Sequence, residues 1–347
     1  MKKKVFQMIL SFTILFISWL LFSCSNIPTV PSAIPPDPSN VQKPNISDYS
    51  NTNIYGSLDK SAYLLPIAVP DYIKVKVSIP GQDNLDSSNF LVFEDDKAQG
   101  FAVFKESSMR KAIDIAIIID CTGSMSDAIN KVSQTLQQFA DQLSQSGMDV
   151  RIAIVPYDDT VNPARICAYL NIDPYLDFSS PSDAKQYVSK ITGTTGGAEV
   201  AFDAIKFAAS SLSWRSHAQK FIIIITDEFD HYGGSSPHTS KSELFNILPG
   251  NFIVHGVFIE GWNYSRFHTD YTNNHDVREV SAVTGGMIIH TDRYVNVDLT
   301  QLGIVEYIES SWIIAFQSDS PSTTHTIEIF FTKGQDKRYL KLSNVSY

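Results

Sequence analysis

The sequence predicts an α/β fold: a doubly wound, mostly parallel sheet covered by helices and flanked by antiparallel β-sandwich strands. Between residues 113 and 310, short β-branched apolar runs alternate with helical patterns, which is the order of βαβ units. Runs that alternate apolar and polar residues precede and follow this region, as half-buried antiparallel strands do. The length of 347 residues gives room for about two domains.

The first 24 residues predict an export signal. Lysines occupy positions 2–4, an apolar run covers residues 5–22, and Ser23 and Cys24 follow. This ending resembles the lipobox of bacterial lipoproteins, which implies that Cys24 is lipidated after cleavage. The alternative is an uncleaved anchor helix, since the apolar run is about long enough to span a bilayer. Both place the remaining chain outside the cytoplasm, tethered to a membrane of the bacterial cell envelope.

Residues 25–60 are rich in Pro, Ser and Asn, which predicts a solvated, semi-extended linker. The formal net charge of the whole chain is −10. Removal of the signal takes away three lysines and leaves 24 basic against 37 acidic side chains, a net charge of −13. This balance argues against a nucleic-acid partner, because phosphates are neutralised by clustered Lys and Arg.

Two flanking regions, residues 61–110 and 311–347, carry the sandwich strands. Alternation is clearest at residues 72–79 and 325–332. The simplest interpretation pairs both flanks into one sandwich, with the α/β domain of residues 111–310 inserted into it. Two separate small sheets are the alternative.

The α/β region holds six predicted strands and five predicted helices. The strands are expected at residues 113–120, 150–155, 165–170, 220–225, 252–258 and 287–290. The helices are expected at residues 125–146, 182–190, 198–212, 277–283 and 299–310.

Oxygen-bearing side chains lie in three loops: after the first strand, before the helix at 198–212, and after the strand at 220–225. Asp120, Thr122 and Ser124 alternate directly after the first strand, and Asp227 closes the apolar run 220–225. Carboxyl ends of parallel strands share one edge of the sheet, where open α/β sheets bind ligands. One carboxylate with several neutral oxygens and room for water suits a small hard cation. The sequence therefore predicts a metal site at this edge.

These residues resemble the von Willebrand factor A (VWA) domain with its metal-ion-dependent adhesion site. The family's Asp-x-Ser/Thr-x-Ser motif matches residues 120–124, and its strand-closing Asp matches Asp227. Its second element is a Thr or Asp in a glycine-rich loop before a helix. Residues 192–197 resemble that loop, and the oxygen donor is Thr195, with Thr194 and Glu199 as alternatives. The resemblance covers residues 113–310.

The resemblance implies how the site works. Thr122, Ser124 and Thr195 would ligate Mg²⁺ or Mn²⁺, in preference to Ca²⁺. Asp120 and Asp227 would bind the ion or its waters. An acidic side chain of a partner protein would fill the open position, which makes the chain a non-enzymatic, cation-dependent binding module. Loops at residues 157–178, 229–240 and 261–276 would supply specificity.

Other functions are less well supported by the residues. One alternative is a structural scaffold in which the site is vestigial or only stabilises the fold, with Asp120 as a helix cap. A hydrolase would need a nucleophile motif such as GxSxG, and a nucleotide site would need GxxxxGK[ST]; the sequence has neither. Five histidines raise a zinc hypothesis, but their spacing fits no ligand pair on one helix; they are His231, His238, His255, His268 and His275. His255 is expected in the core.

Overall fold

The computed structural model describes residues 33–61, 63–67, 71–145, 147–159, 172–192, 199–230, 238–260, 275–292, 297–301 and 303–347. The predicted export signal with Cys24, the strand at 165–170, and the loop with Thr194 and Thr195 lie outside the described residues. Within the described ranges, no helix combines the length and apolar character needed to cross a bilayer.

The strands and helices of the described residues are numbered in chain order. The strands are β1 Tyr55–Leu58, β2 Ile73–Ser78, β3 Phe90–Glu94, β4 Lys97–Ala98, β5 Phe101–Lys105, β6 Ala112–Asp120, β7 Asp149–Tyr157, β8 Leu176–Ser179, β9 Gln219–Thr226, β10 Ile253–Glu260, β11 Ile288–Asp292, β12 Ser311–Phe316, β13 Thr324–Lys333 and β14 Asp336–Ser346. The α-helices are α1 Glu106–Met109, α2 Ser126–Gln145, α3 Pro181–Val188, α4 Ala201–Ser211, α5 Lys241–Ile247, α6 Val277–Val283 and α7 Ile304–Glu309. Short 3₁₀ turns lie at Ile46–Asp48, Ser87–Asn89, Gly123–Met125 and Leu299–Gln301.

The central sheet confirms the predicted fold class. Its strand order is β11-β10-β9-β6-β7-β8, and all neighbours are parallel except β7 and β8. Every residue of β6 is buried, which fits its run of Ile and Ala, because a strand covered on both faces needs apolar side chains in both directions. Helices α2, α3 and α7 cover one face, and helices α4, α5 and α6 cover the other.

Several elements differ from the predicted ones. The edge strand β8 was not predicted, and helix α5 lies in a region where no helix was expected. Helix α3 is capped by Ser180 rather than Ser182, since its first residue is a proline. The helix predicted at 299–310 is a 3₁₀ turn followed by α7, and Gly303 between them has a φ of 70°.

Strands from both flanks of the central domain pair with each other. One sheet has the order β1-β2-β12-β5, with β12 from the C-terminal flank between two N-terminal strands. The other has the order β14-β13-β3-β4. Both sheets contribute to one hydrophobic core, for example Val77 and Ile314 from the first and Val92 and Ile329 from the second. The described flanks therefore form a two-sheet sandwich around one core.

Part of the predicted linker is folded, which corrects the prediction for residues 25–60. Residues Tyr55–Leu58 form β1 and pair with β2. Further upstream, the Gly100 amide donates to Asp37 Oδ1 at 2.9 Å. A Cβ on Gly100 would lie 1.9 Å from the Pro35 carbonyl oxygen, so the two backbones are in close contact. The composition of this segment does not predict these contacts, because they are made largely by backbone atoms.

A buried charged cluster joins the sandwich to the central sheet. Glu106 of α1 has no exposed side-chain surface, and its Oε2 lies 2.9 Å from Lys76 Nζ of β2. Arg110 bridges Glu106 and Asp59, with 3.2 Å between Arg110 Nη2 and Asp59 Oδ2. Gln219 of β9 accepts from Lys76 at 3.3 Å and donates to the Arg110 carbonyl at 2.9 Å. The cluster thus connects β2, α1 and β9 through polar side chains.

Candidate functional site

The site lies at the carboxyl ends of two neighbouring strands in the middle of the central sheet. Strands β6 and β9 are parallel partners, with Ile119 opposite Ile225. Asp120 is the last residue of β6, and Thr226 is the last residue of β9. After Asp120 the chain turns through Gly123–Met125 into α2. This turn returns the hydroxyls of residues 122 and 124 towards the strand end.

Hydrogen bonds bring these side chains together around Asp120. Its Oδ1 accepts from the amide of Thr122 at 2.9 Å and from Thr122 Oγ1 at 2.8 Å. Its Oδ2 accepts from Thr226 Oγ1 at 2.9 Å. The hydroxyls of Thr122 and Ser124 are 3.2 Å apart. Three of the predicted site residues, Asp120, Thr122 and Ser124, therefore form one oxygen cluster.

Burial and like charges dominate the electrostatics of this cluster. Asp120 is fully buried, and burial is the main cause that raises its carboxyl pKa to about 8. The negative charges of Asp227 and Glu199 raise the pKa further, while hydrogen bonds from Thr122 lower it. Asp227 is half-buried and Glu199 is buried. Asp227 thus lies close enough for its charge to act on Asp120.

Two residues of this site, Thr226 and Glu199, are not among the main ligands that the sequence predicts. Thr226 Oγ1 holds Asp120 Oδ2, and the available signal was its position directly before Asp227 at a strand end. Glu199 was only the third choice for the second loop, yet its charge acts on Asp120. Thr195 and Thr194, the first two choices, lie outside the described residues.

The donor set fits a hard divalent cation. It consists of carboxylate and hydroxyl oxygens, which are the ligands that Mg²⁺ and Mn²⁺ prefer. A divalent ion would also offset the mutual repulsion of Asp120, Asp227 and Glu199.

His255 is part of the core, not of a polar site. It is fully buried in β10, and its Nδ1 accepts from the Met287 amide at 3.0 Å. The ring stacks on Phe221 with 5.7 Å between centroids and contacts Tyr307 edge-to-face at 4.7 Å. Burial lowers its pKa from the usual 6.5 to about 3, and the positive charge of Lys76 adds to this.

This lowered pKa predicts a loss of stability in acid. The unfolded chain takes up a proton on His255 below pH 6.5, whereas the folded chain does so only near pH 3. The stabilisation is complete above pH 6.5 and decreases as pH falls, by about 2–3 kcal/mol at pH 4.5. Urea unfolding at pH 7 and 4.5 should show this extra loss in the wild type and in His217→Gln, an exposed control, but not in His255→Gln. An equal acid loss in all three proteins would contradict it.

The comparison with solved structures found matches of low identity and low TM-score. The mussel byssus proximal thread matrix protein 1 is 14% identical with a TM-score of 0.40, and the match covers 60% of this chain and 49% of that one. Another structure of that protein is described with a zinc-occupied MIDAS motif. The pilus adhesin SpaC of Lactobacillus rhamnosus GG is 10% identical with a TM-score of 0.39, covering 89% of this chain and 49% of that one. The chain thus spans about half the length of these two structures.

A search of curated proteins found no match. The family model of the von Willebrand factor type A domain matches residues 114–249, which include the ends of β6 and β9 and the oxygen cluster. The parallel sheet with helices on both faces is the fold that this family match implies. Residues 114–249 of this chain are therefore a von Willebrand factor type A domain.

Proposed function

We propose that this chain is a surface-tethered module that binds a partner protein through a divalent cation. The observation that carries the proposal is the oxygen cluster around Asp120, at the carboxyl edge of the central sheet of a VWA domain. Polar residues with several nearby acids at such an edge are suited to ion binding, and a sheet edge of this kind is where α/β folds bind ligands.

The residues have distinct parts in the proposal. The hydroxyls of Thr122 and Ser124 would ligate the ion directly, together with Thr195 of the second loop. Asp120 and Asp227 would bind the ion or accept hydrogen bonds from its waters. Bound Mg²⁺ or Mn²⁺ would supply a Lewis-acid position for a carboxylate of the partner. Neutral hydroxyl ligands leave more of the ion's charge available to that incoming Asp or Glu.

The test uses matched peptides. The full-length chain, kept in mild detergent, is passed over beads that densely display a Glu-containing peptide or its Gln counterpart, so that multivalency amplifies weak binding. We expect retention on the Glu beads in Mg²⁺ and release by EDTA. Asp227→Asn should abolish retention, whereas Asp141→Asn, an exposed change on α2, should not.

The same experiment distinguishes cation-dependent binding from the scaffold alternative. If the chain has a vestigial or purely stabilising site, retention will not depend on the cation, on the peptide carboxylate, or on Asp227. That result would overturn the binding proposal and leave a structural role for the domain.

The tether is proposed from the sequence alone. Residues 1–24 carry the features of a lipoprotein signal, so we propose that Cys24 holds a lipid and that the chain is anchored in the bacterial cell envelope. Fatty-acid labelling that Cys24→Ser eliminates would support this anchor, and undiminished labelling would rule it out.

A further inference from the structure

A second cluster of metal-binding side chains lies beside the VWA site. Asp230 follows β9, three positions after Asp227, while His238 precedes α5 and His275 precedes α6. One ligand atom of each residue lies within 4.8 Å of the others. Asp230 Oδ2 is 3.3 Å from His238 Nε2 and 3.6 Å from His275 Nδ1. The cluster therefore places one carboxylate oxygen between two imidazoles.

One carboxylate oxygen of Asp230 is held by a backbone amide, and the other faces the two histidines. Its side chain is fully buried. Oδ1 accepts a hydrogen bond from the Phe202 amide at the start of α4, at 2.9 Å. Oδ2 is buried and has no hydrogen-bond partner in the part of the chain that the structure describes. A buried carboxylate oxygen without a well-formed hydrogen bond is costly, and a cation held between it and the two imidazoles would remove that cost.

A second carboxylate lies on the far side of His238, where it could orient the ring once a metal is bound. Its Nδ1 lies 3.7 Å from Asp203 Oδ2, while its Nε2 faces Asp230. Asp203 is held through Oδ1 by the Thr239 amide at 2.7 Å and by Thr239 Oγ1 at 2.5 Å. A carboxylate behind an imidazole that faces a possible ligand position is the arrangement that orients histidine ligands of metals.

We propose that Asp230, His238 and His275 form a second metal site, which takes Zn²⁺ or a similar transition ion. Imidazole nitrogens favour such ions over Mg²⁺, so the site differs in selectivity from the all-oxygen cluster around Asp120. Three protein ligands also leave a coordination position for water or another donor. The ion would connect the segment after β9 to the starts of α5 and α6, next to the binding edge.

A competition titration tests the site directly. The full-length chain is titrated with Zn²⁺ against a chromophoric chelator, in excess Mg²⁺ to occupy the oxygen cluster. We expect one zinc ion per chain for the wild type, for Asp120→Ala, and for the exposed control His217→Gln. His275→Gln and His238→Gln should lower the affinity by at least about 100-fold, more than the 10- to 100-fold typical of outer partners.

The orienting carboxylate provides an independent variant. Asp203→Asn should weaken zinc binding by about 10- to 100-fold, between the wild type and the histidine variants. His275→Gln is the safest ligand variant, because the His275 side chain is 45% exposed and contributes little to the core. Circular dichroism without zinc checks that each variant is folded. A wild type that takes no zinc from the chelator, or histidine variants with unchanged affinity, would overturn the proposal.

Discussion

Asp120→Ala is expected to abolish the response of this chain to Mg²⁺ and Mn²⁺. Asp120 accepts hydrogen bonds from Thr122 and Thr226, so its removal takes away a carboxylate and also the group that orients the neighbouring hydroxyls. In the wild type, a cation at 100 times its dissociation constant should raise the free energy of unfolding by about 2.7 kcal/mol. The variant should show no such increase.

The measurement is thermal unfolding beside calorimetric titration with Mg²⁺, Mn²⁺ and Ca²⁺. Asp141→Asn, which removes an exposed charge from α2, is the matched control and should behave as the wild type does. An unchanged titration in Asp120→Ala would contradict the assignment of the site. If the wild type gives no response, the titration is repeated with acetate as a carboxylate ligand, and a second negative result would favour the scaffold role.

Glu106→Ala is expected to lower the free energy of unfolding by about 3–5 kcal/mol, because breaking a buried ion pair leaves the partner charge uncompensated. Glu106 is fully buried and contacts both Lys76 and Arg110. Without it, three buried positive charges would share the junction between the sandwich and the central sheet, those of Lys74, Lys76 and Arg110. Asp59 would be the remaining nearby acid in this described cluster, and it contacts Arg110.

Urea unfolding of the wild type and Glu106→Ala measures this effect. Lys206→Ala is the control, because the Lys206–Glu243 pair at 3.1 Å has 44% and 48% exposed side chains. Exposed pairs contribute about 0–1 kcal/mol. A loss below 1 kcal/mol in Glu106→Ala would show that the junction is not held by this charge cluster.

The central sheet was predictable because its strands are buried on both faces. Runs such as Ile222–Ile225 are typical of strands covered on both faces, and the helix predicted at residues 277–283 is α6. Strand β8 was missed since its four residues contain an aspartate and lie half-buried at the sheet edge. Helix α5 had a signal in its capping box, where Ser240 and Glu243 cap each other, but its short length gave little periodicity.

The two candidate sites differ in how much of each could be predicted from the sequence. Asp120, Thr122 and Ser124 lie within one turn, so their proximity follows from local geometry. The second cluster consists of Asp230, His238 and His275, which lie in separate connections. Their spacing along the chain does not predict that they come together. Only the packing of α4, α5 and α6 on one face of the sheet brings those connections together.

The position of β12 between β2 and β5 has a consequence for biosynthesis. When the ribosome has completed β5, the centre of that sheet is still missing, because β12 is encoded roughly 200 residues later. A loop of that length is costly to close while it is unstructured. Lys105 and Trp312 are register partners in β5 and β12, so the chain segments that flank the inserted domain lie side by side in the folded protein. A folded inserted domain would shorten the loop that has to be closed. The sandwich is therefore expected to be completed only after the inserted domain has been synthesised.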